Sequence, residues 1–552
     1  MHEHHHHHHH HGDTPDYADL SVPERELRPV DVSRRRFLRN AGLLGATVAG
    51  AGALTAGTAS GAPSGASPTW DSPGRYQWLA GDHHIHTQYS NDAMYTVEQQ
   101  VAGGVRNGLD WMVITDHGYL AHEKYAVQQT YADVLASRQK HRGLLLWQGL
   151  EWNTPAAEHA TVFFDCTRDE AQMLQTFEQL FDGNVNGTNP SSPANEAIAI
   201  QGIKWLDQQV RSGKINSALF LANHPSRNGR LSPHELRNWR DVAPHIAVGM
   251  EGSPGAQADS TPAPLGNGAA RGGYSNSPGV DSWPGYPLEL YRTHGGFDWM
   301  TAKLGGLWDS MLAEGKGWWI TSNSDSHRNF GDTLTSPSPD ADYNATGKHL
   351  DPVDSGTKHS WADFWPGQYS RTVVGATDRS YRAVMDGIRN GRVWVAMGGL
   401  LAGLEVTVFS DEGGWPVTLG GRTTVRRGGN VTVLVVARLA TRPNAGGSVP
   451  KLARMDLIQG QVTGPVTDRD TFATPNVRVV ESFETRRGFV PVAVFQRTFR
   501  NVRDSFYVRL RGTDGNVHAP GSIEPRMDPA DGVDPWSDLW TYSNPIFVVV
   551  VR

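Results

Sequence analysis

The stretch Asp82-His83-His84-Ile85-His86 closes the first predicted strand of the chain, and Asp92 follows six residues after His86. Side chains alternate in an extended segment, so His84 and His86 present both imidazoles on one side. The same arrangement recurs downstream. Trp111-Met112-Val113-Ile114 runs into Thr115-Asp116-His117-Gly118. Leu144-Leu145-Leu146-Trp147 runs into Gly149-Leu150-Glu151, with His159 eight residues on. Ala218-Leu219-Phe220-Leu221 leads to Ala222-Asn223-His224-Pro225, and Trp318-Trp319-Ile320 leads to Ser324-Asp325-Ser326-His327. Ile246-Ala247-Val248-Gly249 adds a further strand. Between these strands lie helical stretches such as 96–107, with Val97, Val101 and Val105 on one face. The alternation predicts parallel α/β structure from Tyr76 to about Gly367. In barrel-like α/β folds the C-terminal strand ends gather on one face, which would bring these His, Asp and Glu residues together.

Neutral imidazoles and carboxylates, with no thiolate among them, suit Zn²⁺, Mn²⁺ or Fe²⁺ at a catalytic rather than a structural site. A carboxylate such as Glu151 can bridge two ions. Two or three ions can then clamp the attacking and leaving oxygens of a phosphoryl displacement. Any one of these histidines alone reads as a hydrogen-bonded structural residue; the ordered set, each element after an apolar strand, reads as a metal centre.

His84-x-His86, Asp116-His117, Glu151, His224-Pro225 and Asp325-x-His327 together resemble the four-motif pattern of the PHP (polymerase and histidinol phosphatase) family, over about residues 76–330. That resemblance implies a distorted (β/α)7-type barrel, two or three divalent metal ions, and phosphoester hydrolysis by a hydroxide bridging the metals. Carried over by motif, one ion takes His84, His86, Glu151 and Asp325. A second shares Glu151 and takes His159 and His224, and a third takes Asp92, His117 and His327. Glu151 and Asp325 are thereby catalytic candidates. Arg227 and Arg328, each within three residues of a proposed ligand, join them as groups able to hold phosphate bidentately. His83 and His122 are candidate proton donors to a leaving group, and Asp82 or Asp116 could orient a ligand imidazole. Trp152, beside Glu151, is either core or pocket lining.

From about Arg371 the pattern changes. A helix-like piece, 379–390, leads into Val393-Trp394-Val395, and strand patterns follow at 403–409, 430–438, 489–496, 504–511 and 545–551. The expected organisation is a tail, signal and linker over 1–66, a metallohydrolase domain over 67–370, and a C-terminal β-sandwich-like domain over 371–552. The tail holds nine of the 24 histidines within Met1 to Gly12, either an expression tag or a native metal-sequestering tract. Ser33-Arg34-Arg35-Arg36-Phe37-Leu38-Arg39 and the Ala/Gly/Leu run after it resemble a twin-arginine export signal, which predicts a secreted protein.

Composition bounds the remaining choices. The 552 residues are 38% hydrophobic, with 18 Trp, 15 Tyr and 17 Phe, ample for packed cores. One cysteine, Cys166, excludes a disulfide scaffold. A net charge of −7 gives no basic field for gripping DNA or RNA over the whole surface. The expected substrate is a small phosphate ester or nucleotide-like molecule, with no stable nucleic-acid complex and no membrane span after signal cleavage. Two alternatives stand beside it: hydrolysis of a non-phosphate ester or amide, and a non-catalytic secreted metal- or glycan-binding protein.

Overall fold

The computed structural model describes residues 22–26, 75–165, 169–258, 272–274, 277–291, 295–412, 415–445, 447, 449–485, 491–514 and 539–552. By contacts the chain forms two units, Met1–Thr69 and Trp70–Arg552. In the first, the described residues carry one turn of 3-10 helix, Glu24–Glu26. The histidine tract, the twin-arginine segment and Cys166 lie outside the described residues.

In the second unit seven strands lie side by side in chain order: β1 (Gln77–Asp82), β2 (Trp111–Ile114), β3 (Leu145–Trp152), β4 (Ala160–Phe164), β5 (Ala218–Ala222), β6 (Ala247–Ser253) and β7 (Trp319–Ser322). The pairs β1–β2, β2–β3, β5–β6 and β6–β7 are parallel. Every residue of β2, β4, β5, β6 and β7 is buried, the pattern of strands covered on both faces. Local signals start the covering helices. Thr96 and Gln99 form a capping box for Val97–Arg106, Ser192 caps Pro193–Arg211, and Ser232 with Glu235 caps Pro233–Val242. Proline stands at the first position of the latter two, where its missing N–H costs nothing.

One strand departs from the parallel expectation. β4 is antiparallel to both β3 and β5, because the connection 153–159 is too short to hold a crossover helix. The array also curls. Ile85 bridges Ser326, the Asp325 N–H donates to the His84 carbonyl at 3.0 Å, and the Ser324 N–H donates to Asp82 Oδ2 at 3.0 Å. The segment after β7 thus meets the segment after β1.

On its other edge β1 pairs antiparallel with Ser370–Ala376, which pairs with Val393–Met397, which pairs with Trp540–Ser543. One sheet therefore passes from β1 into the strand-rich C-terminal region, and the expected boundary at 370/371 falls at the start of Ser370–Ala376. A separate three-stranded sheet joins Leu401–Ser410, Val431–Leu439 and Val492–Phe499. Its Val406, Val433 and Phe495 share one apolar cluster with Leu457, Val508 and Ile546 of the larger sheet. Charge fastens the region as well. Asp309, on the helix Leu307–Ala313, accepts from Arg509 at 2.9 and 2.8 Å and from the Tyr507 hydroxyl at 2.8 Å, all buried. Among the described residues no helix is long and apolar enough to cross a membrane.

Candidate metal centre

The parallel strands deliver their C-terminal ends to one face, and the reversed β4 delivers its N-terminal end there. His159, immediately before β4, therefore reaches the same place as His84, His117, Glu151, His224 and Asp325. All nine sequence-selected donors come together in overlapping groups. These are His84, His86, Glu151 and Asp325; His86, Asp92, His117 and His327; His117, Glu151 and His159; and Glu158, His159 and His224.

The first group is the most tightly built. His84 Nδ1 donates to Glu251 Oε1 at 2.7 Å, which leaves its Nε2 as a lone pair. His86 Nδ1 donates to Ser90 Oγ at 2.8 Å, and the Ser90 hydroxyl donates on to Asp116 Oδ1 at 3.1 Å. The His86 Nε2 is thereby a lone pair too. These two nitrogens stand 3.0 Å apart, each 3.0–3.1 Å from Asp325 Oδ1, with Glu151 Oε1 at 3.0 Å from His84 and Oε2 at 3.2 Å from His86. Asp325 Oδ1 is buried and has no hydrogen-bond partner. Lone pairs this close repel unless a cation lies among them. Donors about 2.1 Å from one ion at near-right angles are separated by about 3.0 Å, so the set fits a divalent metal.

Glu151 joins this group to the others. Its Oε1 is 3.1 Å from His159 Nδ1 and 3.2 Å from His224 Nε2, and its Oε2 is 2.9 Å from His117 Nδ1. The Asn223 side-chain amide donates to Oε1 at 2.9 Å. Asp92 lies 3.4 Å from His117 and 3.6 Å from His327. The charges are mutually sustaining. Burial opposes a charge on His84, but Asp325, Glu151 and Glu251 outweigh it and hold its pKa well above the ordinary imidazole value, so a proton and a metal ion compete for Nε2. Burial likewise disfavours charge on His327, yet Asp92 and Asp325 push it up to about 9. Burial pulls His224 down to about 4, and the Arg227 guanidinium adds to that. Glu151 and Asp325 are held well below the usual carboxylate range because His84 outweighs their burial.

Two ligand candidates occupy left-handed backbone: His224 with φ 25° and Asp325 with φ 47°. Such conformations cost of order 1–3 kcal/mol in non-glycine residues and persist where surroundings over-determine them. Around Asp325 they do. The Tyr274 hydroxyl donates to its Oδ2 at 2.7 Å, and a Cβ added at Gly255 would lie 2.2 Å from the Asp325 Cβ. At His224, the backbone N–H donates to Glu251 Oε2 at 2.5 Å.

All of the sequence-selected donors but His84 and His86, which lie behind them, line a cavity of about 620 Å³, also lined by Arg227, Arg328, Tyr274, Asn153, Asn184 and Trp361. Arg227 lies 3.6 Å from Glu158, and Arg328 lies over the Trp361 ring at 5.3 Å. A larger groove of about 940 Å³, lined by Arg478, Arg497, Arg500 and Arg503 in the C-terminal region, contains none of the donors.

Two expected roles are corrected, those of His83 and His122, and the choice left open for Trp152 is decided. His83 faces away from the donors; its ring nitrogens meet Thr321 Oγ1 at 2.8 Å and Thr161 Oγ1 at 3.3 Å. Burial and the neighbouring His84 push it down to about 3, so it is neutral and enclosed, not poised to protonate a leaving group. His122 is enclosed with Glu178 at 2.9 Å and does not line the cavity. The Trp152 indole donates to the Phe181 carbonyl at 2.9 Å and packs on Phe177, which makes it core. Asp116 braces His86 through Ser90, and Asp82 accepts from the His84 N–H at 3.1 Å. Sequence reasoning missed Glu251, Glu158, Tyr274, Trp361 and Asp363, the last accepting from the His327 N–H at 2.9 Å. Of these, Glu251 had a signal, since it too stands near a strand's C-terminal end.

No curated protein is matched by the sequence. Among solved structures, a two-domain protein of Bacteroides vulgatus containing a predicted PHP-like metal-dependent phosphoesterase aligns at 14% identity and a TM-score of 0.30, over 88% of this chain and all of that one. Endonuclease Q, in complex with a 27-mer duplex carrying an abasic lesion at its active site, aligns at 13% identity and 0.27, over 57% of each chain. A Bifidobacterium adolescentis protein described as a metal-dependent phosphoesterase aligns at 14% and 0.22, over 45% of this chain and 87% of that one. Residues 82–181, from the end of β1 to the helix Glu170–Phe181, match the family model of the PHP domain.

Proposed function

We propose that the chain is a PHP-type metal-dependent phosphoesterase, hydrolysing phosphomonoesters or phosphodiesters of small or nucleotide-like molecules with two or three divalent ions (Zn²⁺, Mn²⁺ or Fe²⁺). On this reading the curled β1–β7 array is the distorted seven-stranded barrel of that family, and the twin-arginine-like segment directs export. The observation that carries the proposal is the set of donor atoms His84 Nε2, His86 Nε2, Asp325 Oδ1 and the Glu151 carboxylate, at contacts of 3.0–3.2 Å, with the second ring nitrogen of each histidine already engaged by Glu251 or Ser90 outside the cavity.

His84, His86, Glu151 and Asp325 would hold one ion, with Glu151 shared toward His159 and His224, and Asp92, His117 and His327 forming a third set. Bound ions supply Lewis-acid neutralisation of a phosphoryl group and generate a nucleophile from water at neutral pH. The chain's own residues do the positioning. Glu251 and the Ser90–Asp116 pair fix the two imidazole tautomers, and Tyr274 holds Oδ2 of Asp325 so that Oδ1 faces the donors. Arg227 and Arg328 face the cavity, and either can bind non-bridging oxygens by charge-assisted hydrogen bonds.

The test is hydrolysis of p-nitrophenyl phosphate and bis-p-nitrophenyl phosphate by protein reconstituted with Mn²⁺, Zn²⁺ or Fe²⁺. Turnover abolished by a chelator and restored by metal is expected, and the preferred ester assigns the class. Metal uptake without turnover of either ester would overturn the phosphoester reading.

A further inference from the structure

The cavity's two guanidinium groups are held in different ways. Arg227, at the His224 end, has Glu158 beside it at 3.6 Å. Arg328, at the His327 end, has no carboxylate partner among the described residues; its guanidinium lies over the Trp361 ring, 5.3 Å from the centroid. The Trp361 side chain nevertheless stays 49% exposed, so much of an indole remains open at the cavity wall. An exposed tryptophan is an apolar, flat surface that water solvates poorly.

This surface is fixed relative to the metal donors. Asp363, two residues after Trp361, accepts the His327 N–H at 2.9 Å and the Arg328 N–H at 3.4 Å. The Phe330 N–H donates to the Asp363 carbonyl at 2.9 Å, and Asn329 bridges Asp363. The segment that carries Asp325 and His327 and the segment that carries Trp361 are thus laced together. A cation placed over a flat aromatic ring, with both fixed beside the candidate metal donors, forms a preorganised surface suited to another planar π-system.

We propose that Arg328 and Trp361 form a platform that binds the planar aromatic portion of the substrate while its phosphoryl group engages the Glu151 and Asp325 end of the cavity. The substrate class is then a phosphoester bearing an aromatic or heteroaromatic ring, and alkyl phosphoesters are the poorer ligands. The proposal rests on the phosphoester reading above, and Trp361 acts as a specificity residue, not as a catalytic one.

The test uses the full chain loaded with Mn²⁺ and two inert pairs that differ only in the ring: phenylphosphonate against methylphosphonate, and benzoate against acetate. Affinities come from isothermal titration calorimetry of wild type, Trp361→Ala and Trp361→Phe. Stacking of one ring on an aromatic side chain predicts about a tenfold preference for phenylphosphonate in wild type. The ratio collapses to about one in Trp361→Ala and is largely kept in Trp361→Phe. Equal binding of the two phosphonates by wild type, or a preference that survives in Trp361→Ala, overturns the platform and leaves the phosphoester reading standing. If neither phosphonate binds but benzoate exceeds acetate through Trp361, the phosphoester reading falls and the aromatic platform stands. If nothing binds, both fall.

Discussion

Replacing Glu251 by Gln changes a carboxylate that never faces the cavity, yet it is expected to weaken metal binding by about 10- to 100-fold. Both carboxylate oxygens are committed: Oε1 accepts from His84 Nδ1 at 2.7 Å and Oε2 from the His224 N–H at 2.5 Å. A glutamine side chain has a single acceptor atom, its oxygen, beside an NH₂ that only donates, so it cannot accept from both partners as the two carboxylate oxygens do. If its oxygen faces His84, its NH₂ opposes the His224 N–H, and the left-handed turn that presents His224 loses its brace. If it is flipped, His84 must accept at Nδ1 and carry its proton on Nε2, pointed at Glu151 and Asp325. Either way one hydrogen bond to a charged group is lost, worth about 1.5–3 kcal/mol, which converts to about a 10- to 100-fold loss of metal affinity. The assay is competition for Zn²⁺ against a chromophoric chelator, with thermal unfolding of the ion-free protein checked alongside. Wild-type affinity in Glu251→Gln would refute the reasoning that this carboxylate sets the His84 tautomer.

Other consequences are as direct. Arg509→Met leaves Asp309 buried without its counter-charge, and chemical denaturation should show a loss of about 3–5 kcal/mol; a loss under 1 kcal/mol would mean the pair does not fasten the C-terminal strands. Gly255→Ala places a Cβ 2.2 Å from that of Asp325, so kcat/KM for a nitrophenyl ester should fall about 100-fold with the fold retained by circular dichroism. Metal binding must expel protons from imidazoles held charged in the ion-free chain, among them His327, pushed up to about 9. Apparent Mn²⁺ affinity should therefore rise between pH 6.5 and 8.5, by up to about tenfold per unit for each proton displaced, and a flat profile would contradict this. Stability of the ion-free chain runs the other way. The His327 contribution is fully present below its unfolded value of 6.5 and is lost as pH rises through about 9.

Most of the donors were legible in the sequence because they obey one rule, a charged or imidazole group at or just beyond the C-terminal end of an apolar strand; Asp92 and His159 do not. Glu251 obeys it as well. It stayed hidden because the run Ile246-Ala247-Val248-Gly249 looks finished at the glycine, whereas β6 continues through Met250 and Glu251 to Ser253, all buried. His83 also follows from period two, which turns it away from His84 and His86. His159 could not be placed by spacing alone, since its position depends on β4 running backward. Tyr274, Trp361 and Asp363 stand in Gly-, Pro- and Asp-rich stretches with no periodicity, and only tertiary contact brings them to the site. In the C-terminal region the strand Arg454–Gln461 carries charged residues at Arg454 and Asp456, which break the apolar pattern although both are buried and paired at 2.9 Å.

The central claim is that Glu151 is the shared ligand of a multinuclear metal centre. It is tested most directly by counting metal in protein freed of residues 1–12, whose histidines would bind ions of their own, after reconstitution with Mn²⁺, Zn²⁺ or Fe²⁺ and desalting. Two to three ions per chain in wild type, falling to at most one in Glu151→Gln, held by the Asp92, His117 and His327 set, is the predicted result. No retained metal in wild type, or an unchanged count in Glu151→Gln, would contradict it.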